Sequence, residues 1–236
     1  MLYLFRKNRL FLPKEGPLRQ LCWLKLFLFS VLLFCSTCAS SPCLAAQMTP
    51  AGGETIVMIR HGEKPSGGLG QLTCRGLNRA LALPPLLIAR YGKPDAIYAP
   101  DPAVEVQEGN NGPHYSYVRP LATIEPTAIR LGMPVNTQFG YDQIGELRQA
   151  LMEPVYAHSL IFVAWEHDNL YRFAKQMLQE YGDGASLLPP WPGWDYGTIY
   201  VFHIARSESG GKPHASLTIQ QENLGGKLRN TCPGPE

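Results

Sequence analysis

Apolar positions along this chain alternate between unbroken runs and helical spacing. Thr55, Ile56, Val57, Met58 and Ile59 form a continuous run with β-branched members. Such a run predicts a strand buried on both faces. A loop through Pro65, Ser66, Gly67 and Gly68 follows it. Thr73 is placed to cap a helix that begins near Cys74, with Leu77 and Leu81 on one face. Pro84 and Pro85 should kink or restart that helix before it reaches Tyr91 and Gly92. Asp95, Ala96, Ile97, Tyr98 and Ala99 predict a second strand. Residues 100–114 are rich in Gly, Asn and Pro with scattered acids, which predicts a long loop on the rim. Pro120 favours a helix start with Arg119 at or near its N-cap. Leu121, Ile124, Ala128 and Leu131 keep helical spacing through a kink at Pro126, and Gly132 ends it.

The second half repeats the alternation. A short helix holds Ile144, Leu147 and Leu151, and residues 160–165 read as another buried strand. Leu170, Phe173, Ala174, Met177, Leu178 and Tyr181 line one face of the next helix. Pro189, Pro190, Trp191, Pro192 and Gly193 make a rigid turn. Residues 198–202 and 216–219 predict closing strands, a candidate hairpin. Strands alternating with helices imply an α/β fold, a three-layer sandwich whose mostly parallel sheet carries helices on both faces. Ligands of such sheets bind beyond the carboxyl ends of the strands. Two polar groups sit there: Arg60 with His61, and Glu166 with His167 and Asp168.

Residues 1–46 differ from the rest. Arg6, Lys7, Arg9, Lys14, Arg19 and Lys25 precede an apolar run from Leu26 to Cys35, and the segment ends in Cys43, Leu44, Ala45 and Ala46. A basic lead, a short apolar segment and a small-residue exit describe a secretory signal peptide, cleaved after Ala45 or Ala46. The alternative is an uncleaved membrane anchor, for which the run is short against the roughly 20 residues of a span. Residues 47–53 then form a linker and 54–236 the domain. The leader holds six of the chain's 21 basic residues and one of its 19 acidic ones. The remaining 15 and 18 give a net charge near −3, with no basic patch that would suit nucleic acid. Four of the six cysteines leave with the leader, and Cys74 and Cys232 remain as a candidate disulfide. His114, His203 and His214 show no ligand spacing with cysteines or acids, so no metal is expected.

The chemistry rests on Arg60, His61, Arg119 and His167. Arginine presents a planar fork of donors to phosphoryl oxygens. A neutral imidazole nitrogen can attack phosphorus and hold the group covalently. A second histidine can donate to the same oxygens as charge shifts. A helix start at Arg119 would add free backbone N–H groups and a positive dipole end. Arg60, His61 and Gly62 after an apolar strand resemble the signature of the histidine phosphatase superfamily, which includes the phosphoglycerate mutases. The segments 72–76, 116–126 and 162–167 resemble further motifs of that family in the same order. The resemblance covers roughly residues 54–205. It implies that His61 becomes phosphorylated, that Arg60, Arg119 and His167 hold the phosphate, and that no metal or other cofactor takes part.

The proton donor stays open at this level. Asp168 directly follows the second histidine, where phytase-like members carry their acid, yet it suits a helix N-cap equally well. Asp142 and Glu146 occupy the interval used by mutase-like members, Glu166 could instead orient an arginine, and some members lack a dedicated acid. Glu63, Lys64 and Pro65 stand where mutases carry an asparagine, which argues against mutase activity. Lys64 either adds charge to the pocket or is a solvated loop residue. The expected function is an exported, periplasmic or extracellular phosphomonoesterase acting on a phosphorylated small molecule. A binding protein with a degenerate site, or a phosphoprotein or phosphohistidine phosphatase held at the membrane by the N-terminal segment, are the alternatives. Specificity is expected from residues 100–114 and 191–196. The sequence does not set the oligomeric state.

Overall fold

A computed structural model describes residues 53–207 and 210–234. The leader expected at 1–46 lies outside the described residues, as does the linker except for Gly53. Gly53 instead opens strand β1 (Gly53–Arg60), which runs along the unbroken apolar segment. Helix α1 (Cys74–Tyr91), strand β2 (Ala96–Tyr98), the short strands β3 (Glu105–Gln107) and β4 (His114–Ser116) and helix α2 (Arg119–Leu131) follow. Helix α3 (Ile144–Leu151), strand β5 (Leu160–Trp165), helix α4 (His167–Tyr181) and strands β6 (Thr198–Ala205) and β7 (His214–Gln221) complete the order.

The five-stranded sheet has the order β2-β5-β1-β6-β7. β2, β5 and β1 pair in parallel, β6 runs against β1, and β7 runs against β6. β6 alone therefore opposes the common direction, and β6–β7 is the closing hairpin. Strand alternation divides the core in two. Ile56, Met58, Val163, Trp165, Tyr200 and Phe202 face α3 and α4. Val57, Ile59, Phe162, Ala164, Ile199 and Val201 face α1 and α2. The result is the expected three-layer α/β arrangement. Each such side chain, fully buried, stabilises the fold by about 1.5–3 kcal/mol.

Three expectations change. The core face of α1 is Ala80, Leu83, Pro84 and Leu87, whereas Leu81 is exposed and Leu77 only half-buried. The helix does not restart at Pro84 and Pro85 but continues through them. Packing against the sheet outweighs the backbone donors lost there. Residues 100–114 are not a structureless loop, because Val106 pairs with Tyr115 in the β3–β4 hairpin, a two-stranded ribbon separate from the main sheet. Its strands alternate exposed and half-buried positions too briefly to show as a periodicity. Cys74 and Cys232 are joined by a disulfide that ties the C-terminal tail to the start of α1. Among the described residues no helix is long and apolar enough to cross a membrane.

Candidate active site

β1 and β5 lie side by side and point the same way, so their carboxyl ends deliver their next residues to one place. Arg60 is in register with Trp165, and the backbone N–H of His61 donates to the Trp165 carbonyl at 2.9 Å. One ladder rung thus fixes His61 beside Glu166 and His167. Gly62 follows because space is tight: a Cβ there would stand 2.9 Å from the Gly76 backbone at the start of α1.

His61 is 2% exposed. Its Nδ1 lies 2.7 Å from the Gly62 carbonyl, which can only accept, so Nδ1 carries the ring proton and Nε2 keeps its lone pair. Burial, with the charges of Arg119 and Arg60, pushes its pKa down to about 3. The ring is neutral at physiological pH. The rings of Tyr117 and Tyr196 each stand 6.1 Å from it as walls.

Arg60 is equally buried. Its Nη1 donates to the carbonyls of Gly193 and Asp195, both at 2.8 Å, and of Pro192 at 3.4 Å, while its guanidinium covers Tyr196 at 3.9 Å. The turn at residues 189–197 thus closes over Arg60. Asp195 shapes that turn by accepting from the Gly197 N–H and the Thr198 hydroxyl. Trp191, expected on the rim, is buried against Tyr200 and donates to the Asp195 carbonyl, whereas Trp194 is exposed. The aromatic ring anchors the loop instead of lining an opening.

Arg119 is the first residue of α2, next to the N-cap position at Val118. Its backbone N–H is not free, since it donates to the Gly70 carbonyl at 3.1 Å, and Pro120 has none to offer. Two of the backbone N–H groups expected to serve an anion at this helix start are therefore not available. The guanidinium lies over Tyr117 at 4.7 Å and pairs through Nη1 with Glu108 of the hairpin. Thr123, one turn on, donates to the Arg119 carbonyl at 2.8 Å and accepts from the Gly62 N–H at 2.9 Å. A single hydroxyl thus couples the residue after His61 to the helix that carries Arg119.

His167 opens α4, and its Nδ1 contacts the Glu166 carboxylate. The N-cap is Glu166, not Asp168: Glu166 accepts from the backbone N–H of Asp168 and of Asn169, each at 3.0 Å. Asp168 loses its expected capping role because it lies inside the first turn, with its side chain mostly exposed. Burial works to raise the Glu166 pKa, yet the contact from His167 and the two N–H groups hold it down at about 2. Glu166 is therefore ionised, and it binds a histidine and a helix end, not an arginine. Ligand atoms of Glu166, His167 and Asp168 lie within 4.8 Å of one another and could approach a cation. Both Glu166 oxygens, however, already serve the helix end.

The structure gathers Arg60, His61, Arg119 and His167 around the ends of β1 and β5. Asp142 and Glu146 are exposed near the start of α3. Glu63 turns into α1, where it binds Arg75 and Arg79. Lys64 is partly exposed but ion-pairs with Glu108 at 3.3 Å, so it is not merely solvated. Sequence reasoning did not single out Glu108, Thr123 or Tyr117 as residues of the site, whereas Tyr196 lies at the end of the segment expected to set specificity. For Glu108 the one signal was an acid within a segment expected to border the site.

No protein-family model and no curated protein matches the chain. Among solved structures it is similar to a mycobacterial glucosyl-3-phosphoglycerate phosphatase at 13% identity, over 71% of this chain and 98% of that one, with a TM-score of 0.49. It is similar to a protein titled mycobacterial hydrolase 2 at 12% identity, over 70% and 89% of the two chains, with a TM-score of 0.48. A phosphoglycerate mutase from Plasmodium falciparum is similar at 14% identity, over 71% and 89%, with a TM-score of 0.47.

Proposed function

We propose that this chain is a phosphomonoesterase of the histidine phosphatase superfamily that works through a phosphohistidine on His61, without a metal. The observation that carries the reading is the Nδ1 bond of His61 to the Gly62 carbonyl, which leaves Nε2 unprotonated in a buried pocket beside two arginines. A neutral imidazole aimed by its other nitrogen is the form a nucleophile needs. Arg60 and Arg119 offset the charge of a phosphoryl group, and His167, with a proton on each ring nitrogen, can donate to it through Nε2 while Nδ1 donates to Glu166. Bond formation from Nε2 to phosphorus expels the alcohol. Water then cleaves the N–P bond and releases phosphate.

Export of the mature domain belongs to the same proposal. It is supported by the basic and apolar leader and by the Cys74–Cys232 bridge, which suits an oxidising compartment. A small phosphorylated molecule is the substrate class.

The test uses the full chain as the cell produces it. It should hydrolyse p-nitrophenyl phosphate, form an acid-labile phosphoenzyme, and lose both properties in His61→Ala. Phosphate binding with no phosphoenzyme would establish the binding-protein reading instead. N-terminal sequencing of the recovered protein should begin at Ala46 or Gln47, and an intact N-terminus would establish the anchored form.

A further inference from the structure

We propose that Glu108, on the β3–β4 hairpin, is the proton donor to the leaving group, and that a phosphate arriving at Arg119 is what arms it. The proposal rests on the phosphohistidine reading above.

Glu108 is 7% exposed although it directly follows β3, whose residues are exposed or half-buried. Its carboxylate pairs with Nη1 of Arg119 and lies 3.3 Å from Nζ of Lys64. The wall beneath it is Gly68, whose φ is 74° and whose neighbour Gly67 has φ 81°. A Cβ on Gly68 would overlap the Glu108 carboxylate. The loop after His61 is therefore shaped to seat an acid against the arginine that faces the nucleophile.

The other acids are poorly suited. Both oxygens of Glu166 bond backbone N–H groups. Asp168 sits exposed in the first turn of α4, where the helix dipole favours its charged form. Asp142 and Glu146 are exposed.

Burial acts to raise the Glu108 pKa, but the hydrogen bond and charge of Arg119, with the charge of Lys64, hold it below the usual carboxylate range. A phosphate dianion on Arg119 removes that partner and adds a like charge nearby. Both changes drive Glu108 to take up a proton. The hairpin pairs only with itself and joins no strand of the main sheet, so a small shift can release the carboxylate from Arg119.

The steps balance. Nε2 of His61 forms the bond to phosphorus, the P–O bond breaks, and the leaving oxygen takes the proton of Glu108. Ionised Glu108 then accepts a proton from water as its oxygen attacks phosphorus. The N–P electron pair returns to Nε2, phosphate leaves, and Glu108 returns its proton to solvent as it pairs again with Arg119.

The experiment compares Glu108→Gln with the unaltered full chain on p-nitrophenyl phosphate, a good leaving group, and glycerol 2-phosphate, a poor one. Phosphoenzyme formation from glycerol 2-phosphate should slow by about 10²–10⁴-fold, and that from p-nitrophenyl phosphate by less than about tenfold, while the shared dephosphorylation step slows equally for both. The alkaline limb of the glycerol 2-phosphate pH profile should disappear, and Glu108→Asp should restore part of the rate. Equal losses in the rate of phosphoenzyme formation from both substrates would overturn the proposal in favour of Glu108 merely positioning Arg119. A rise on both would overturn it in favour of a plug over Arg119. Phosphohistidine should still form from p-nitrophenyl phosphate in Glu108→Gln, so failure of this proposal is separable from failure of the His61 reading. The latter would show as no phosphoenzyme in the unaltered chain.

Discussion

The pocket is assembled from two kinds of structure. His61, Glu166 and His167 come from the ends of the central strands, where a ladder rung and a helix cap fix them. Glu108 and the turn at 192–195 come from segments outside the sheet and are held by the two arginines themselves. Arg60 clamps the turn, and Arg119 clamps the hairpin. The strand-end half thus takes its geometry from the core, while the outer half takes its geometry from the charges it serves. A phosphate that engages both arginines competes with the contacts that keep the outer half closed. On the proposed phosphatase reading, substrate binding and movement of the outer segments are coupled for that reason.

The largest effects should come from the arginines. Arg60→Met and Arg119→Met should each lower kcat/KM by about 10²–10³-fold, comparable to removal of one preorganised donor from a transition-state site. Their structural consequences should separate. Arg60→Met should raise hydrogen exchange in residues 192–197 and spare the hairpin, and Arg119→Met should do the reverse. Loosening of both segments in either variant would show that the outer half is one unit, with no separate clamps.

The same division explains what is legible in the sequence. Residues 55–59 and 160–165 are unbroken apolar runs, so the hydrophobic pattern alone places both strands, and with them His61 and His167. The outer half carries no such pattern. Glu108 sits in a hairpin of three-residue strands, too short for a period to register. Trp191 reads as a rim residue because a Pro-rich turn says nothing about which way its aromatic ring faces. Thr123 occupies a buried position of α2 that periodicity assigns to an apolar residue, and its partners are distant in the chain. It joins the two halves, so it tests whether they are independent. Thr123→Val should leave the buried Gly62 N–H without an acceptor and lower unfolding stability by about 1–3 kcal/mol. Thr123→Ser should keep most of it. Activity falling with stability in the valine variant would show that the link positions His61 as well as holding α2.

The smallest effect sharpens the comparison on one strand. β1 begins with Gly53 and Glu54, and His61 follows its last residue. Both ionisable groups are buried, yet they respond to pH in opposite senses. His61 has its pKa pushed from 6.5 to about 3, chiefly by burial, so the unfolded chain binds its proton more readily. Its contribution to stability is complete above pH 6.5 and is lost as pH falls toward 3. Glu54 has its pKa raised from 4.5 to about 7 because burial outweighs its ion pair with Arg206. The folded chain holds that proton more tightly, so this contribution is complete below pH 4.5 and is lost as pH rises through 7. The two windows overlap between pH 4.5 and 6.5, where the effects oppose each other, so chemical denaturation should give a broad maximum there, with stability falling on either side. Glu54→Gln should remove at least about 1 kcal/mol, the equivalent of one pK unit, of the decline between about pH 4.5 and 8 and leave the rise below pH 4.5 unchanged. His61→Gln should remove the rise below pH 4.5 and expose the Glu54 decline through the overlap. An unaltered decline in Glu54→Gln would place the alkaline-side titration on Glu222 at Arg79, which burial also raises to about 7. The pH response would then belong to α1 and the end of the sheet, and not to the strand that leads into His61.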